Sequence, residues 1–161
     1  MTWNKFNIYG KDYDCSHLKT RDIFVDVDGI ECKLTISYSH HCFTDKTENG
    51  PRLFRDGRCW SQERYEQSLE LPSILVGALS SSNSYCVPHY HYNNEQFHYV
   101  EYGDYAIFFN INKPPKTTSE LKIKVNSAYP LASWNIGLPK GKPKLIRWVL
   151  SQRIQGKTIL K

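Results

Sequence analysis

Apolar and polar residues alternate along the first half of the chain in the way that strands with one buried face require. In residues 30–37 (IECKLTIS) every second side chain is apolar, and the apolar run 23–27 (IFVDV) precedes it. The two runs are separated by Asp28-Gly29, a strong signal for a two-residue hairpin turn. We therefore predict an antiparallel hairpin here, with Cys32 as a small buried hydrophobic residue.

The second half of the chain also has strand patterns. Residues 95–102 and 105–111 flank Gly103-Asp104 and predict a second hairpin. Residues 120–129 alternate between apolar and polar, which predicts a further strand. Residues 85–92 are rich in β-formers but contain Pro88, which favours an edge strand or a loop.

Helical spacing occurs in two regions. Ser61 is a candidate N-cap for a helix, and Pro72 interrupts the helical pattern, so we expect either a kink at Pro72 or two short helices over residues 61–70 and 72–80. An apolar stripe along residues 144–155 predicts an amphipathic helix near the C-terminus.

The order of these elements predicts an α+β fold with an antiparallel sheet of about five or six strands packed against two or three helices. Residues 1–161 are expected to form a single domain. Within it, residues 1–20 are predicted to be an irregular N-terminal arm with a short strand at 3–9, and 140–161 a basic C-terminal helix and tail. The sequence contains no internal repeat.

The composition points to a cytoplasmic protein that does not enter a membrane. No apolar run approaches the roughly 18 residues of a membrane span, and the N-terminal residues have no apolar segment typical of a signal peptide. The chain has 5 cysteines, an odd number, and no CxxC pair. These features favour free thiols and a reducing compartment.

Positive charge is concentrated near the C-terminus. Residues 140–161 contain 7 of the 21 Lys and Arg residues and no acidic residue, which leaves a net charge of −2 on the remainder. We predict that Lys144, Arg147 and Arg153 contact the backbone of a nucleic acid. The alternative is a solvated helix whose basic end suits the helix dipole.

Residues 37–65 hold the densest set of groups able to bind, ionise or attack. They contain the adjacent histidines His40 and His41, two cysteines, one tryptophan and four arginines: Arg52, Arg55, Arg58 and Arg64. The arginines lead into the predicted helix, and helix N-termini commonly bind anions. We therefore interpret this segment as a loop that faces a phosphate or a partner.

The cysteines of this segment suit two kinds of chemistry, the first of which is metal binding. Cys42 and Cys59, with the neighbouring histidines, offer a mixed ligand set for zinc, and Cys86, His89 and His91 offer a second one. Their spacing matches no zinc knuckle or HExxH helix, so no cofactor is expected unless it is zinc, and the alternative is buried thiols.

A nucleophilic Cys42 is the other possibility. His41-Cys42 begins like the phosphatase signature HCx5R, but the arginine position is occupied by Glu48, which would repel phosphate. The phosphatase interpretation is therefore excluded. A cysteine–histidine hydrolase remains an alternative, because neighbouring imidazoles can lower the pKa of a thiol.

RNA cleavage without a metal needs a base, an acid and cations, all of which the sequence provides. The predicted catalytic set is His40, His41, His98, Tyr129 and Arg64. Arg55 and Arg58 are predicted to bind nucleic acid together with the basic C-terminal residues.

A helical layer on an antiparallel sheet with a late Ser127-Ala128-Tyr129 strand resembles the small ribonuclease toxins of the RelE and barnase type. The resemblance is topological and covers about residues 95–130. It implies that Tyr129 or His98 acts as acid or base and that Arg or Lys steadies the phosphate. The alternative is that Ser127 and Tyr129 face the core, since they share the parity of Val125.

The leading functional hypothesis is therefore a nucleic-acid-directed protein, most concretely a small metal-independent ribonuclease of toxin type. Its expected partners are RNA or another nucleic acid, a neutralising or target protein, and no membrane. The second hypothesis is a noncatalytic binding or regulatory module, an inhibitor or adaptor, with zinc as a possible stabiliser.

Overall fold

The computed structural model describes residues 3–92, 95–130 and 141–159. In chain order its elements are β1 (Lys5–Ile8), β2 (Lys11–Asp14), a 3-10 turn (Ser16–Leu18), β3 (Arg21–Val27), β4 (Ile30–Tyr38), a second 3-10 turn (His40–Cys42), β5 (Thr44–Asp45), β6 (Cys59–Trp60), α1 (Gln62–Ser68), α2 (Leu71–Ser80), β7 (Tyr85–Tyr92), β8 (Glu95–Tyr102), β9 (Tyr105–Asn112), β10 (Glu120–Pro130), β11 (Lys144–Leu145) and α3 (Ile146–Ile154). The predicted α+β fold is confirmed.

Seven of the described strands form one curled sheet in the order β11-β7-β8-β9-β10-β4-β3. Its pairs are antiparallel except β10 with β4, which run parallel with Ile123 opposite Ile36. This parallel pair joins the first hairpin to the second half of the chain. The sheet has one strand more than predicted because Lys144 and Leu145, predicted as the first turn of a helix, instead pair with β7.

One face of the sheet carries the main core, and α2 and α3 cover it. The alternating apolar positions of β4, β9 and β10 point to this face, as the sequence pattern predicts. Leu71, Leu75 and Leu79 lie one helical turn apart on α2 and are fully buried. From α3 the core receives Ile146, Val149 and Leu150.

The helix boundaries follow the predicted signals closely. Ser61 caps α1, and its hydroxyl accepts a hydrogen bond from the Arg64 backbone N–H at 3.3 Å. Pro72 lies in the first turn of α2, where a missing N–H is tolerated, so it begins a helix rather than kinking one. α3 begins at Ile146, after Leu145, which stays exposed.

The short strand predicted at residues 3–9 is present as β1, but the following residues differ from the predicted irregular arm. β1 and β2 form a hairpin whose turn, at Tyr9 and Gly10, has positive φ angles. The sequence of β2 is polar and lacks the alternation of apolar and polar residues that predicts a strand. Aromatic contacts stabilise this strand instead. These rings form an aromatic cluster with Phe43 at its centre: Trp3, Phe6, Tyr13, Phe43, Phe54, Trp60 and Tyr65.

A β-bulge at Asn126 changes the face on which the end of β10 presents its side chains. Val125 lies opposite Phe109 and Ser127 opposite Phe108, so two steps along β10 match one step along β9. Ala128 consequently enters the core, while Ser127 and Tyr129 turn to the opposite face. The alternative in which Ser127 and Tyr129 share the face of Val125 is therefore wrong.

Within the described ranges, no helix has both the length and the apolar character needed to cross a membrane.

Candidate functional site

His40 and His41 lie in the short 3-10 turn that follows β4, and hydrogen bonds tie this turn to β10. The Ser39 hydroxyl donates to the Asn126 carbonyl at 2.6 Å and accepts from the His41 backbone N–H at 3.2 Å. The Ser39 backbone N–H donates to the Val125 carbonyl at 2.9 Å. The bulge in β10 thus fixes the position of the histidine turn, and bulges often lie beside functional sites.

Asp56, which lies in the β5–β6 loop, contacts the two histidines. Its Oδ2 lies 2.8 Å from His40 Nε2 and 3.7 Å from His41 Nε2. Its other oxygen, Oδ1, accepts a hydrogen bond from the Arg58 backbone N–H at 3.1 Å. The hydrogen bond from His40 is the main reason why the pKa of Asp56 is lowered, so this carboxyl is ionised at neutral pH.

Aromatic packing holds the ring of His40 in place, and burial keeps His41 neutral. The His40 ring stacks on Phe54 with 4.0 Å between centroids and meets Trp3 edge-on at 6.1 Å. Burial, with added repulsion from Arg58 and His40, lowers the pKa of His41 to about 4. His41 is therefore a neutral imidazole at neutral pH, able to accept a proton or bind a ligand.

The two histidines line a cleft of about 370 Å³ on the face of the sheet opposite α2 and α3. Lys124 and Asn126 of β10 form one wall, and Lys124 is exposed. The buried Nδ2 of Asn126 has no hydrogen-bond partner within the part of the chain that the structure describes. The remaining lining residues are Trp3, Ser37, Tyr38 and Ser39.

Arg58 and Arg64 support the histidine turn from beneath. Arg58 is 8% exposed, and it donates from Nε to the Thr44 hydroxyl at 2.9 Å and from Nη2 to the Thr44 carbonyl at 2.6 Å. Arg64 Nη1 donates to the same carbonyl at 2.9 Å and to the His41 carbonyl at 3.3 Å. The prediction that Arg58 binds nucleic acid does not fit this position, because its guanidinium group is used inside the fold.

His98 and Tyr129 lie away from the cleft. His98 is fully buried on the core face of β8, 5.6 Å from the Phe109 ring, so a macromolecular substrate cannot reach it. Tyr129 is 8% exposed and covered by Phe108 and the Arg64 guanidinium, and burial raises its pKa to about 12. Neither position fits the predicted catalytic role.

The other predicted basic contacts are spread over separate elements. Arg55 and Lys144 are exposed. Arg147 donates to the carbonyls of Asp26 and Ser80, and Arg153 is buried with its guanidinium bonded to Ile111 and Lys157 carbonyls. Arg153 is therefore a structural residue of α3, and its predicted contact with nucleic acid does not fit.

The cysteines do not form the predicted metal site. All five are free and buried, and burial raises the pKa of Cys42 to about 12, so its thiol stays protonated at neutral pH. Cys59 Sγ lies 3.6 Å from the Gly57 carbonyl oxygen. Among the described residues, the cluster with metal-ligand geometry consists of His40, His41 and Asp56. It contains no cysteine. The side chains of His89 and His91, predicted to join Cys86, lie outside the described part.

Sequence reasoning found the histidine pair but missed its partners. In the sequence, Asp56 next to Gly57 is typical of a turn, and Trp3 belongs to the segment predicted to be an N-terminal arm. The alternation along residues 120–129 places Lys124 and Asn126 on the polar face of a regular strand, without indicating a site there. No local pattern links these residues to His40, because their proximity depends on the parallel β4–β10 pair and on the N-terminal hairpin.

Of three comparisons with known proteins, the comparison with protein families gave a match. Neither the curated proteins nor the solved structures contain a chain that matches this one. The family model described as the YjaZ family matches residues 5–156, which includes the N-terminal hairpin, the histidine turn and α3. The chain therefore belongs to the YjaZ family.

Proposed function

We propose that this protein acts on nucleic acid, most concretely as a small metal-independent ribonuclease of toxin type, and that the His40–His41 cleft is its site. The proposal rests on the proximity of the His40 and His41 imidazoles to the Asp56 carboxylate. The exposed Lys124 lines the same cleft as the two histidines. A reducing cytoplasm suits such a protein, because its five buried cysteines are free thiols.

The arrangement supplies each group that cleavage of RNA requires. His41 Nε2 accepts the proton of the 2′-hydroxyl, and the 2′-oxygen then attacks phosphorus. The bond between phosphorus and the 5′-oxygen breaks, and the leaving oxygen takes a proton from His40, whose ring Asp56 holds through the contact between Oδ2 and Nε2. The products are a 2′,3′-cyclic phosphate and a 5′-hydroxyl. The Lys124 ammonium steadies the charge that develops on the phosphorane.

This proposal uses fewer residues than the sequence analysis expected. His40 and His41 remain catalytic, and Arg64 becomes a positioning residue because it bonds the His41 carbonyl. The exposed Arg55 lies in the same loop as Asp56 and, with Lys124, offers positive charge for the backbone of RNA.

Cleavage of single-stranded RNA by the purified chain in EDTA tests the proposal. We expect His41→Ala to lower the rate by at least about 100-fold, since general-base catalysis contributes about 10²–10⁴-fold. His17→Gln is the matched control, because His17 bonds Ser68 instead of Asp56 and should leave the rate unchanged. RNA that stays intact with the unaltered chain would refute the proposal, and circular dichroism checks that the variants fold.

A noncatalytic binding module is the second candidate, and a separate groove favours it. This groove of about 640 Å³ lies between α2 and the β7–β8 edge of the sheet. It is lined by Glu70 and Glu101 with no Lys or Arg, and its Tyr85 and Tyr102 are 58% and 61% exposed. Acidic and aromatic side chains together fit the Lys and Arg side chains of a basic peptide segment from a partner protein.

A fluorescent Lys- and Arg-rich peptide titrated into the chain at low salt tests this second candidate. We expect saturable binding that weakens at least about tenfold in the double variant Glu70→Lys/Glu101→Lys, because opposite charges become like charges. The double variant Glu31→Lys/Glu48→Lys changes two exposed residues outside the groove and serves as the control of equal net charge. Equal binding by both variants would show that the groove is not the docking surface.

A further inference from the structure

We infer that His40 Nε2, His41 Nε2 and Asp56 Oδ2 bind one divalent transition-metal ion, of which Zn²⁺ is the best fit. One ligand atom from each of these three side chains lies within 4.8 Å of the other two. The inference goes beyond the proposed function, since cleavage as described above needs no metal.

The distances between the ligand atoms match what a zinc ion requires. Zinc bonds of about 2.1 Å at the tetrahedral angle place neighbouring ligand atoms about 3.4 Å apart. Asp56 Oδ2 lies 2.8 Å from His40 Nε2 and 3.7 Å from His41 Nε2, on either side of that value. The pair of imidazoles is also within 4.8 Å, so side-chain shifts of about 1 Å or less convert the hydrogen-bonded cluster into a ligand set.

The surroundings of the cluster orient these atoms as outer partners of metal ligands usually do. The Arg58 backbone N–H holds Asp56 Oδ1, which leaves Oδ2 for the ion. The ring of His40 is held between Phe54 and Trp3. Since both histidines also line the cleft, a fourth coordination position opens onto it.

The kind of metal follows from the ligands and the nearby charges. Two imidazoles and one carboxylate suit zinc and its neighbours better than Mg²⁺ or Ca²⁺, which prefer oxygen ligands. The positive charges of Arg58 and Arg64 act on the same region and oppose a cation. We therefore expect binding weaker than that of closed four-ligand zinc sites.

The inferred site has a consequence that rests on the proposed function. A metal ion on His41 Nε2 occupies the lone pair that would accept the 2′-hydroxyl proton. Zinc should therefore inhibit RNA cleavage, and EDTA should restore it.

Isothermal titration of ZnCl₂ into the full chain, prepared without a histidine tag, tests the site directly. We expect one ion per chain, and a loss of affinity of at least about 100-fold in Asp56→Asn and His41→Ala, the upper end of what loss of a supporting group costs. The matched controls Asp104→Asn, an exposed carboxylate, and His17→Gln should bind as the unaltered chain does.

Titration with Co²⁺ gives an independent readout, because a tetrahedral ion absorbs visible light strongly and an octahedral one does not. Absence of binding, or equal binding by Asp56→Asn, would overturn the inference. RNA cleavage in EDTA without zinc binding would leave the proposed function intact, whereas zinc binding without cleavage would remove the proposed function alone.

Discussion

Replacing Phe43 by alanine should lower the free energy of unfolding by about 3–5 kcal/mol, the usual cost of removing a buried phenylalanine side chain. Phe43 is fully buried and follows the histidine turn directly. Its ring lies 5.3–6.2 Å from those of Trp3, Phe6, Trp60 and Phe54. Because Trp3 and Phe54 also hold the His40 ring, the lost contacts should loosen the candidate site as well.

Urea unfolding followed by tryptophan fluorescence measures this change. Phe24→Ala is a matched control, since the Phe24 side chain is 60% exposed and its loss should cost within about 0.5 kcal/mol, as for most surface changes. Equal effects of the two substitutions would contradict the central place of Phe43 in the aromatic cluster.

Gly50→Ala should destabilise the protein by about 3 kcal/mol, at the upper end of the range for overpacking. A Cβ atom on Gly50 would lie 2.3 Å from the backbone carbonyl oxygen of Trp60. This carbonyl group belongs to the backbone and cannot rotate away as a side chain can. β6 or the loop before it must therefore shift. The loop carrying Asp56 lies between these two residues, and the His40–Asp56 hydrogen bond should weaken with it.

Gly77→Ala is the control for this substitution and should have the opposite sign. Gly77 lies exposed in α2, and a Cβ atom there would meet nothing within 4 Å. Alanine is favoured over glycine inside a helix by about 1 kcal/mol. Thermal unfolding of both variants tests the pair, and a loss of stability in Gly77→Ala would contradict the packing of α2 described here.

Local patterns were sufficient to predict most elements of the fold. The alternation in β4, the Asp28-Gly29 turn and the Ser61 cap each depend on residues close in sequence, and each is present in the structure. The parallel pairing of β4 with β10 was not predictable in this way. It joins strands that are far apart in the sequence, and strict alternation along β10 also gave no sign of the bulge at Asn126.

The candidate site was predictable only in part for the same reason. His40 and His41 are adjacent in the sequence, so the sequence alone identifies them as candidate site residues. Cys42 suggests a metal site because thiolates bind zinc, but this last residue of the 3-10 turn is buried, and burial keeps its thiol protonated. Asp56 reaches the histidines through a loop whose path depends on the β5–β6 pair.

The parallel pair also determines when the cleft can form during folding. Its walls come from residue 3, residues 37–41 and residues 124–126, so their contacts close a large loop and raise the contact order of the fold. Closing such a loop costs more chain entropy than closing a short hairpin does. A growing chain thus carries both histidines long before it has a cleft, and any activity of the cleft must wait until β10 has been made and has paired with β4.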